Sequence, residues 1–356
     1  MRQAPAASRR PRACARPSRR GGARAVRGRA VSGPSTKRAT RAATMHTLAV
    51  GALASATGAL VLWRSAAVGR FVSAAAKDEF IAAYNAAMAE LPRPDLVLDV
   101  PTSFGVVRVH RFDGGAPGRV PLVLLPGRAS ASPMWKTNLP SLLRHAPVYL
   151  LDLLGEPGRS VQDTPITDTD DQARWLAEVL AALPEERVDL LGVSIGGWTA
   201  VNVATRRPGK IRSLMLLDPV LVFAPLAVAA VWRSIPAGIR MLPARLREDF
   251  TSWTANGAPV RDVPVARMIA AGMHSYALAL PAPRRIAEEV LARLDLPVLV
   301  VVAGRSRMHD PHRVARTARR VLRHGRVVVY ESASHAVNGE CPDRIAADVA
   351  ALRETL

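Results

Sequence analysis

Residues 188–197 read Val-Asp-Leu-Leu-Gly-Val-Ser-Ile-Gly-Gly, an apolar run that passes through a G-x-S-x-G pattern. The residues up to Gly192 have the composition of a buried strand, and residues 198–206 continue as a run compatible with a helix. A strand that reverses into a helix over one residue forces that residue into a strained turn, which exposes its side chain above the sheet. Gly192 and Gly196 suit this turn because a Cβ at either place would crowd the adjoining helix. We therefore predict that Ser194 is a nucleophile.

An earlier apolar strand, Val120–Leu125, ends in Pro126-Gly127-Arg128. A serine that attacks a carbonyl needs backbone N–H groups aimed at the developing oxyanion, and removing one such donor costs about 2.7–4 kcal/mol. One donor in this arrangement is the residue after the nucleophile, Ile195, and the other comes from the loop after the early strand, Arg128. We expect these two N–H groups to form an oxyanion hole. An ordinary strand-to-helix turn at Pro126-Gly127 is the alternative.

A general base is predicted near the end of the chain. The strand Arg326–Tyr330 is followed by Glu-Ser-Ala-Ser-His, which ends at His335. A histidine on the loop after the last strand is where the base lies when the chain order is serine, acid, histidine. Of the eight histidines in the sequence, His335 is the one with this placement.

Together these motifs resemble the α/β-hydrolase fold superfamily, and more narrowly its bacterial carboxylesterase-like members, over about residues 76–355. The resemblance rests on Leu-Pro-Gly at 125–127, Asp-Leu-Leu-Gly-Glu-Pro-Gly-Arg-Ser at 152–160, the Ser194 turn and Ser334-His335. It implies a lid inserted after the sixth strand, at about residues 219–292. It also implies a serine hydrolase that cleaves a carboxylic ester, thioester or lactone through an acyl-enzyme, with no metal or organic cofactor. The family usually has His-Gly where this chain has Pro126-Gly127, a change that spares the donor N–H.

The triad acid departs from the superfamily pattern more seriously. That pattern places an aspartate three residues after the glycine that ends the penultimate strand. Counting from Gly304 gives Arg307, and counting from Ala303 gives Ser306. Neither residue can act as the acid, so the acid has to come from another place.

Two aspartates are candidates for this role. Asp218 follows the strand 211–217, a position that some families of this fold use, and Asp310 follows the penultimate strand. Asp310-Pro311 also suits the N-cap and first residue of a helix. The sequence slightly favours Asp218 and leaves Asp310 open, with Asp152 third.

The rest of the chain alternates strands and helices, which is typical of an α/β fold with a doubly wound, mostly parallel sheet. Strands are predicted near 96–100, 105–111, 120–125, 147–151, 188–193, 211–217, 297–303 and 326–330. Helices are predicted near 76–91, where the helix should cover the core, and near 137–144, 170–183, 196–206, 311–323 and 342–354. The segment between Asp218 and Pro297 is too long for a plain crossover, and Pro and Gly break it into short helices. Its apolar residues favour a small hydrophobic ester as substrate.

The charge of the chain is concentrated at its N-terminus. Residues 1–44 contain twelve arginines, Lys37 and no acid, whereas residues 78–356 carry 33 basic and 29 acidic residues. The net charge of +20 therefore does not indicate a nucleic-acid-binding domain. The tail reads as a disordered segment, a targeting peptide, or a translation artefact upstream of a start at Met45.

Residues 47–63 are uncharged throughout and rich in Ala, Gly, Ser and Thr. Seventeen residues lie at the lower limit for a bilayer span of ~20. We expect residues 45–75 to hold an apolar helix that packs on the domain, with a membrane anchor as the alternative. The two cysteines form no metal or redox spacing, and a cytoplasmic location is expected.

The competing function is a non-catalytic α/β-hydrolase-like binding protein, tethered to a membrane in one version. The missing acid at the usual position is its best support. A hydrolase needs its acid from elsewhere in the chain, and a binding protein does not.

Overall fold

A computed structural model of the chain describes residues 68–238, 245–257 and 263–356. The strands in these ranges are β1 (Arg70–Phe71), β2 (Leu96–Thr102), β3 (Gly105–Phe112), β4 (Leu122–Leu125), β5 (Val148–Leu151), β6 (Val161–Gln162), β7 (Val188–Val193), β8 (Ile211–Leu217), β9 (Tyr276–Ala277), β10 (Val298–Ala303) and β11 (Gly325–Tyr330). The helices are α1 (Ala74–Met88), α2 (Leu139–Leu142), α3 (Thr169–Ala182), α4 (Ile195–Arg206), α5 (Val228–Gly238), α6 (Arg245–Thr254), α7 (Pro264–Ser275), α8 (Glu288–Leu291), α9 (Pro311–Val321), α10 (Val337–Glu340) and α11 (Pro342–Arg353), with a 3₁₀ turn at Ser132–Trp135.

The main sheet has the strand order β11-β10-β8-β7-β4-β5-β3-β2, and β6 pairs with β3 at one end. The six strands from β11 to β5 run parallel, while β3 pairs antiparallel with β5, β2 and β6. Every residue of β4, β7 and β10 is buried, as expected for parallel strands covered on both faces. The long crossovers that parallel pairs require are supplied by α3, α4 and α9. The predicted mostly parallel sheet with flanking helices is confirmed.

The carboxyl ends of the parallel strands meet at one edge of this sheet, where ligands bind in open α/β folds. Ser194 follows β7 and Asp218 follows β8. The loops 126–131, 304–310 and 331–336 follow β4, β10 and β11. The topology therefore delivers five separate segments of the chain to the same place.

The described residues between β8 and β10 form α5, α6, α7, β9 and α8. Helix α1 packs on this insertion, because β1 pairs with β9 directly after α7 and so brings α1 beside α7. Their shared apolar cluster contains Phe80, Tyr84, Ala87, Met268 and Ala271 and is separate from the main core. The helix predicted near 76–91 is thus present as α1, and the apolar cluster that it covers is shared with α7.

The basic tail 1–44 and the apolar run 47–63 lie outside the described residues, so the expectations for them stay predictions. Within the described ranges, no helix combines the length and the apolar character that crossing a bilayer requires.

Candidate active site

Ser194 occupies the sharp turn between β7 and α4. Its backbone has φ 55° and ψ −117°, a left-handed conformation that is strained for a residue with a Cβ. Close backbone packing makes both flanking glycines necessary. A Cβ on Gly192 would lie 2.4 Å from the Gly196 carbonyl oxygen, and a Cβ on Gly196 would lie 2.2 Å from the Leu125 carbonyl oxygen. The turn thus has the strand–turn–helix geometry that the pattern predicts.

His335 lies on the loop after β11 and faces the Ser194 hydroxyl. Its Nε2 is 2.9 Å from Ser194 Oγ, and its ring is 13% exposed. This is the distance at which an imidazole can take the hydroxyl proton. The structure therefore places His335 where a general base for Ser194 has to be.

Asp218 holds the other side of the His335 ring. Its Oδ2 accepts a hydrogen bond of 2.6 Å from Nδ1 of His335, and its side chain is fully buried. The residue has φ 43° and its own N–H donates to the Val301 carbonyl, which turns the carboxylate across the end of β10. Burial would raise the pKa of Asp218, but the charges and hydrogen bonds of His309 and His335 outweigh it and hold the pKa well below its usual range. The partners around Asp218 thus favour its charged form.

Asp310, the second candidate acid, lies elsewhere. It is exposed, and its Oδ1 accepts from the N–H groups of His312 and Arg313 as the N-cap of α9. None of the hydrogen bonds in the described ranges joins it to His335. The Asp-Pro pair therefore starts a helix, which leaves Asp218 as the carboxylate at the site.

The two predicted oxyanion donors flank the nucleophile. Ile195 is the first residue of α4, where backbone N–H groups have no partner within the helix. Arg128 lies in the loop after β4, and in the described part of the chain neither N–H donates a hydrogen bond. The next residue, Ala129, has φ 54°, so the loop is held in a strained form.

The family assignment follows from comparison with known sequences. The sequence profile of the Alpha/beta hydrolase family matches residues 122–348. The chain belongs to this family. Its fold and the positions of Ser194 and His335 agree with that membership.

Known relatives of this α/β hydrolase include esterases. The chain is 24% identical over 270 residues to an uncharacterized carboxylesterase, nap, of Bacillus subtilis (strain 168), with 73% of this chain and 87% of the relative covered. It is 31% identical over 230 residues to a pimeloyl-[acyl-carrier protein] methyl ester esterase of Neisseria meningitidis, with 60% and 85% covered. The crystal structure of carboxylesterase CesB (YbfK) from Bacillus subtilis superposes with a TM-score of 0.71 at 20% identity, covering 78% of this chain and 98% of that one. The structural likeness shows the fold, and the relatives place the chain among the carboxylesterase-like members.

Three residues of the site were missed from the sequence. Ser306 and His309, on the loop after β10, both hydrogen-bond to Asp218. Ser306 stands at one of the two positions where the superfamily pattern would place its acid, a signal that could have pointed to this loop. His309 carried no such signal. Glu156 interrupts the 152–160 motif and was not given a role.

Glu156 contacts the loop 126–131 of this α/β hydrolase, which carries the predicted oxyanion donor Arg128. Its carboxylate is 2% exposed, and it binds Arg128 Nη1 at 2.5 Å and the N–H of Ala129 at 3.1 Å. Burial raises the pKa of Glu156, and the Arg128 charge and the Ala129 N–H offset part of that rise. Both contacts fix the strained peptide next to the Arg128 N–H.

We expect Glu156→Leu to lower kcat about 100-fold, because the loop that carries one oxyanion donor loses both of its holds. Glu156→Gln should cost less, about tenfold, since the amide oxygen still accepts from Ala129 while the ion pair with Arg128 is lost. KM should change little in either variant. Steady-state kinetics on an ester substrate measure both, and equal losses in the two variants would contradict this role of the Ala129 contact.

A small cavity of about 20 Å³ lies beside Arg128 and Ile195. Arg128, Ile195 and Glu156 form one side of it. The remaining wall is mainly apolar and contains Leu153, Leu154, Trp175, Trp198, Leu280 and Pro283, with Gln172 and Thr199. Of these residues, Leu280 and Pro283 belong to the insertion between β8 and β10. The cavity is thus apolar and close to the place where an acyl group bound to Ser194 would begin.

Proposed function

We propose that this chain is a serine esterase that cleaves a carboxylic ester through an acyl-enzyme. One observation carries the proposal: His335 lies between Ser194 Oγ, at 2.9 Å, and Asp218 Oδ2, at 2.6 Å. Nucleophile, base and orienting acid are recognised by this geometry and not by their sequence positions. The chain order serine, acid, histidine is the order used in this fold.

The mechanism follows from the positions of these groups. Ser194 Oγ attacks the ester carbonyl while His335 Nε2 takes its proton, and the N–H groups of Arg128 and Ile195 stabilise the oxyanion. His335 then returns the proton to the leaving alcohol. Water, activated by the same ring, attacks the acyl-enzyme and releases the acid and Ser194.

Asp218 keeps the His335 ring in the useful tautomer. Its Oδ2 accepts a hydrogen bond from the Nδ1–H of His335, so Nε2 is free to act as the base, and the carboxylate stabilises the imidazolium that forms. A non-catalytic binding protein was supported mainly by the absence of an acid after β10. Asp218 supplies that acid from the end of β8, and the alternative loses its support.

The substrate we propose is a small hydrophobic ester, with thioesters and lactones as related candidates. The apolar lining of the cavity beside Arg128 and Ile195 favours a hydrophobic acyl group, and the small volume of the cavity disfavours a long one. The relatives named as carboxylesterases and as a methyl ester esterase also act on carboxylic esters. The segment between β8 and β10 would act as a lid, because Leu280 and Pro283 in this segment line one wall of the cavity.

The test is hydrolysis of p-nitrophenyl acetate, butanoate and octanoate by the purified protein. We expect turnover of all three with kcat/KM highest for the short acyl groups, since the wall that contains Trp175 and Leu280 limits the acyl chain. Enlarging the cavity with Leu280→Ala should move the optimum toward octanoate. A folded protein that turns over none of these esters, and no matching thioester or lactone, would contradict the proposal.

A further inference from the structure

Asp218 is bound by two histidines, and the esterase mechanism uses only one of them. His335 Nδ1 is hydrogen-bonded to Oδ2, while His309 Nε2 lies 3.0 Å from Oδ1. The His309 side chain is 1% exposed, and its Nδ1 has no hydrogen-bond partner in the described ranges. Burying a ring nitrogen without a partner is unfavourable, and an apolar side chain would fill the same space without that cost. Packing alone therefore gives no reason for a histidine at this position.

The end of β10 and the loop after it contact the Asp218 carboxylate, although the superfamily pattern would place the acid on this loop. Ser306, at a position where the acid is expected, donates its hydroxyl to Asp218 Oδ2 at 2.7 Å. The N–H of Ala303, at the end of β10, donates to Oδ1 at 3.0 Å, beside His309. The acid of this chain lies at the end of β8, and Ala303, Ser306 and His309 all lie within hydrogen-bond distance of it.

We propose that His309 is a positioning residue for Asp218. A carboxylate can rotate about its Cβ–Cγ bond, and only one of its rotations directs Oδ2 along the Nδ1–H bond of His335. The His309 Nε2–H and the Ala303 N–H anchor Oδ1 and so fix that rotation. This role assigns the His309 proton to Nε2, and it rests on the proposed esterase function.

The same contact tunes how strongly Asp218 stabilises a charged His335 ring. Each donor on a carboxylate spreads its charge, so losing one leaves a stronger partner for the imidazolium. In the described ranges the titratable groups that face His309 are Asp218 and, across it, His335. Arg305, Arg307 and Asp310 on its own loop are exposed. Arg307 Nη1 donates to the Trp253 carbonyl of α6, and the Ala227 N–H, just before α5, donates to the Met308 carbonyl.

The experiment compares three variants of the full chain: His309→Leu, His309→Gln and His309→Asn. The Gln amide nitrogen reaches as far as the ring Nε2, whereas the Asn amide is too short and Leu has no donor. We expect Leu and Asn to lower kcat roughly 10–100-fold, the loss that corresponds to a hydrogen bond to a charged group, with KM within about twofold. Gln should stay within about threefold of the wild type. The acid limb of the kcat/KM profile should move upward by about half a pH unit in Leu and Asn and should not move in Gln.

Folding is monitored by the thermal midpoint of each variant. If His309 only filled space, the kcat values of the variants would follow their thermal midpoints and the pH profile would not change. That result overturns the inference. Equal kcat values for Gln and Asn overturn it as well, even where Leu does not fold. These outcomes leave Ser194 reactive toward a fluorophosphonate, so they are distinguishable from failure of the esterase proposal, in which the wild type neither reacts nor turns over esters.

Discussion

Replacing Ser194 by alanine should remove ester hydrolysis almost completely, with a loss of about 10⁵–10⁶ in kcat. Without Oγ no acyl-enzyme forms, and His335 has no hydroxyl to deprotonate. The small activity that remains would come from the Arg128 and Ile195 N–H groups acting on a water molecule. Steady-state kinetics on p-nitrophenyl butanoate, against the spontaneous rate, measure this loss.

The variant should fold like the wild type, because alanine and serine have nearly the same preference at φ 55°. Ser234→Ala is the matched control: this serine is exposed on α5, and its hydroxyl donates to the Val231 carbonyl of the same helix. We expect its activity within about twofold of the wild type, in line with other surface substitutions. A Ser194→Ala protein that keeps a tenth of the activity would place the nucleophile elsewhere.

Asp218→Asn should lower kcat by about 10⁴, the loss seen when a triad carboxylate becomes an amide. Oδ2 of Asp218 accepts from His335 Nδ1, and an amide nitrogen at that place would favour the wrong tautomer of the ring. An amide nitrogen at the Oδ2 position would also face the Ser306 hydroxyl, which donates to that oxygen, so a lower thermal midpoint should accompany the kinetic loss.

Asp310→Asn is the control that separates the two candidate acids. Asparagine caps a helix N-terminus as well as aspartate does, so α9 should keep its stability and kcat should stay within about twofold. The reverse pattern, a large loss at Asp310 and a small one at Asp218, would show that the loop after β10 rearranges in the working enzyme.

The nucleophile and the base were predictable because their chemistry is encoded locally. The glycines around Ser194 are required by contacts within the same turn and with the neighbouring strand. His335 follows β11, whose apolar residues make it recognisable as a strand from the sequence. A short segment that has to adopt a strained backbone leaves few residue choices, and those choices appear in the sequence. The order and type of the main strands were predictable for a related reason, since buried parallel strands are almost continuously apolar.

The acid could not be decided in the same way. Asp218 and Asp310 both begin Asp-Pro pairs in the segments that follow strands, and what separates them is a positive φ at Asp218 and the pairing of β8 with β10. Both are tertiary properties. His309 was missed for the same reason, because only the fold brings it to Asp218. The packing of α1 on α7 depends on the two-residue pairing of β1 with β9, which is too short to leave a sequence pattern.

The central claim is that Ser194 is an activated nucleophile, and covalent labelling tests it most directly. Purified protein would be treated with a fluorophosphonate probe beside Ser194→Ala and Ser234→Ala, and the labelled peptide would be identified by mass spectrometry. We predict one adduct, on Ser194, that is present in the wild type and in Ser234→Ala and absent from Ser194→Ala. No adduct in folded wild-type protein, or an adduct that persists in Ser194→Ala, would contradict the account.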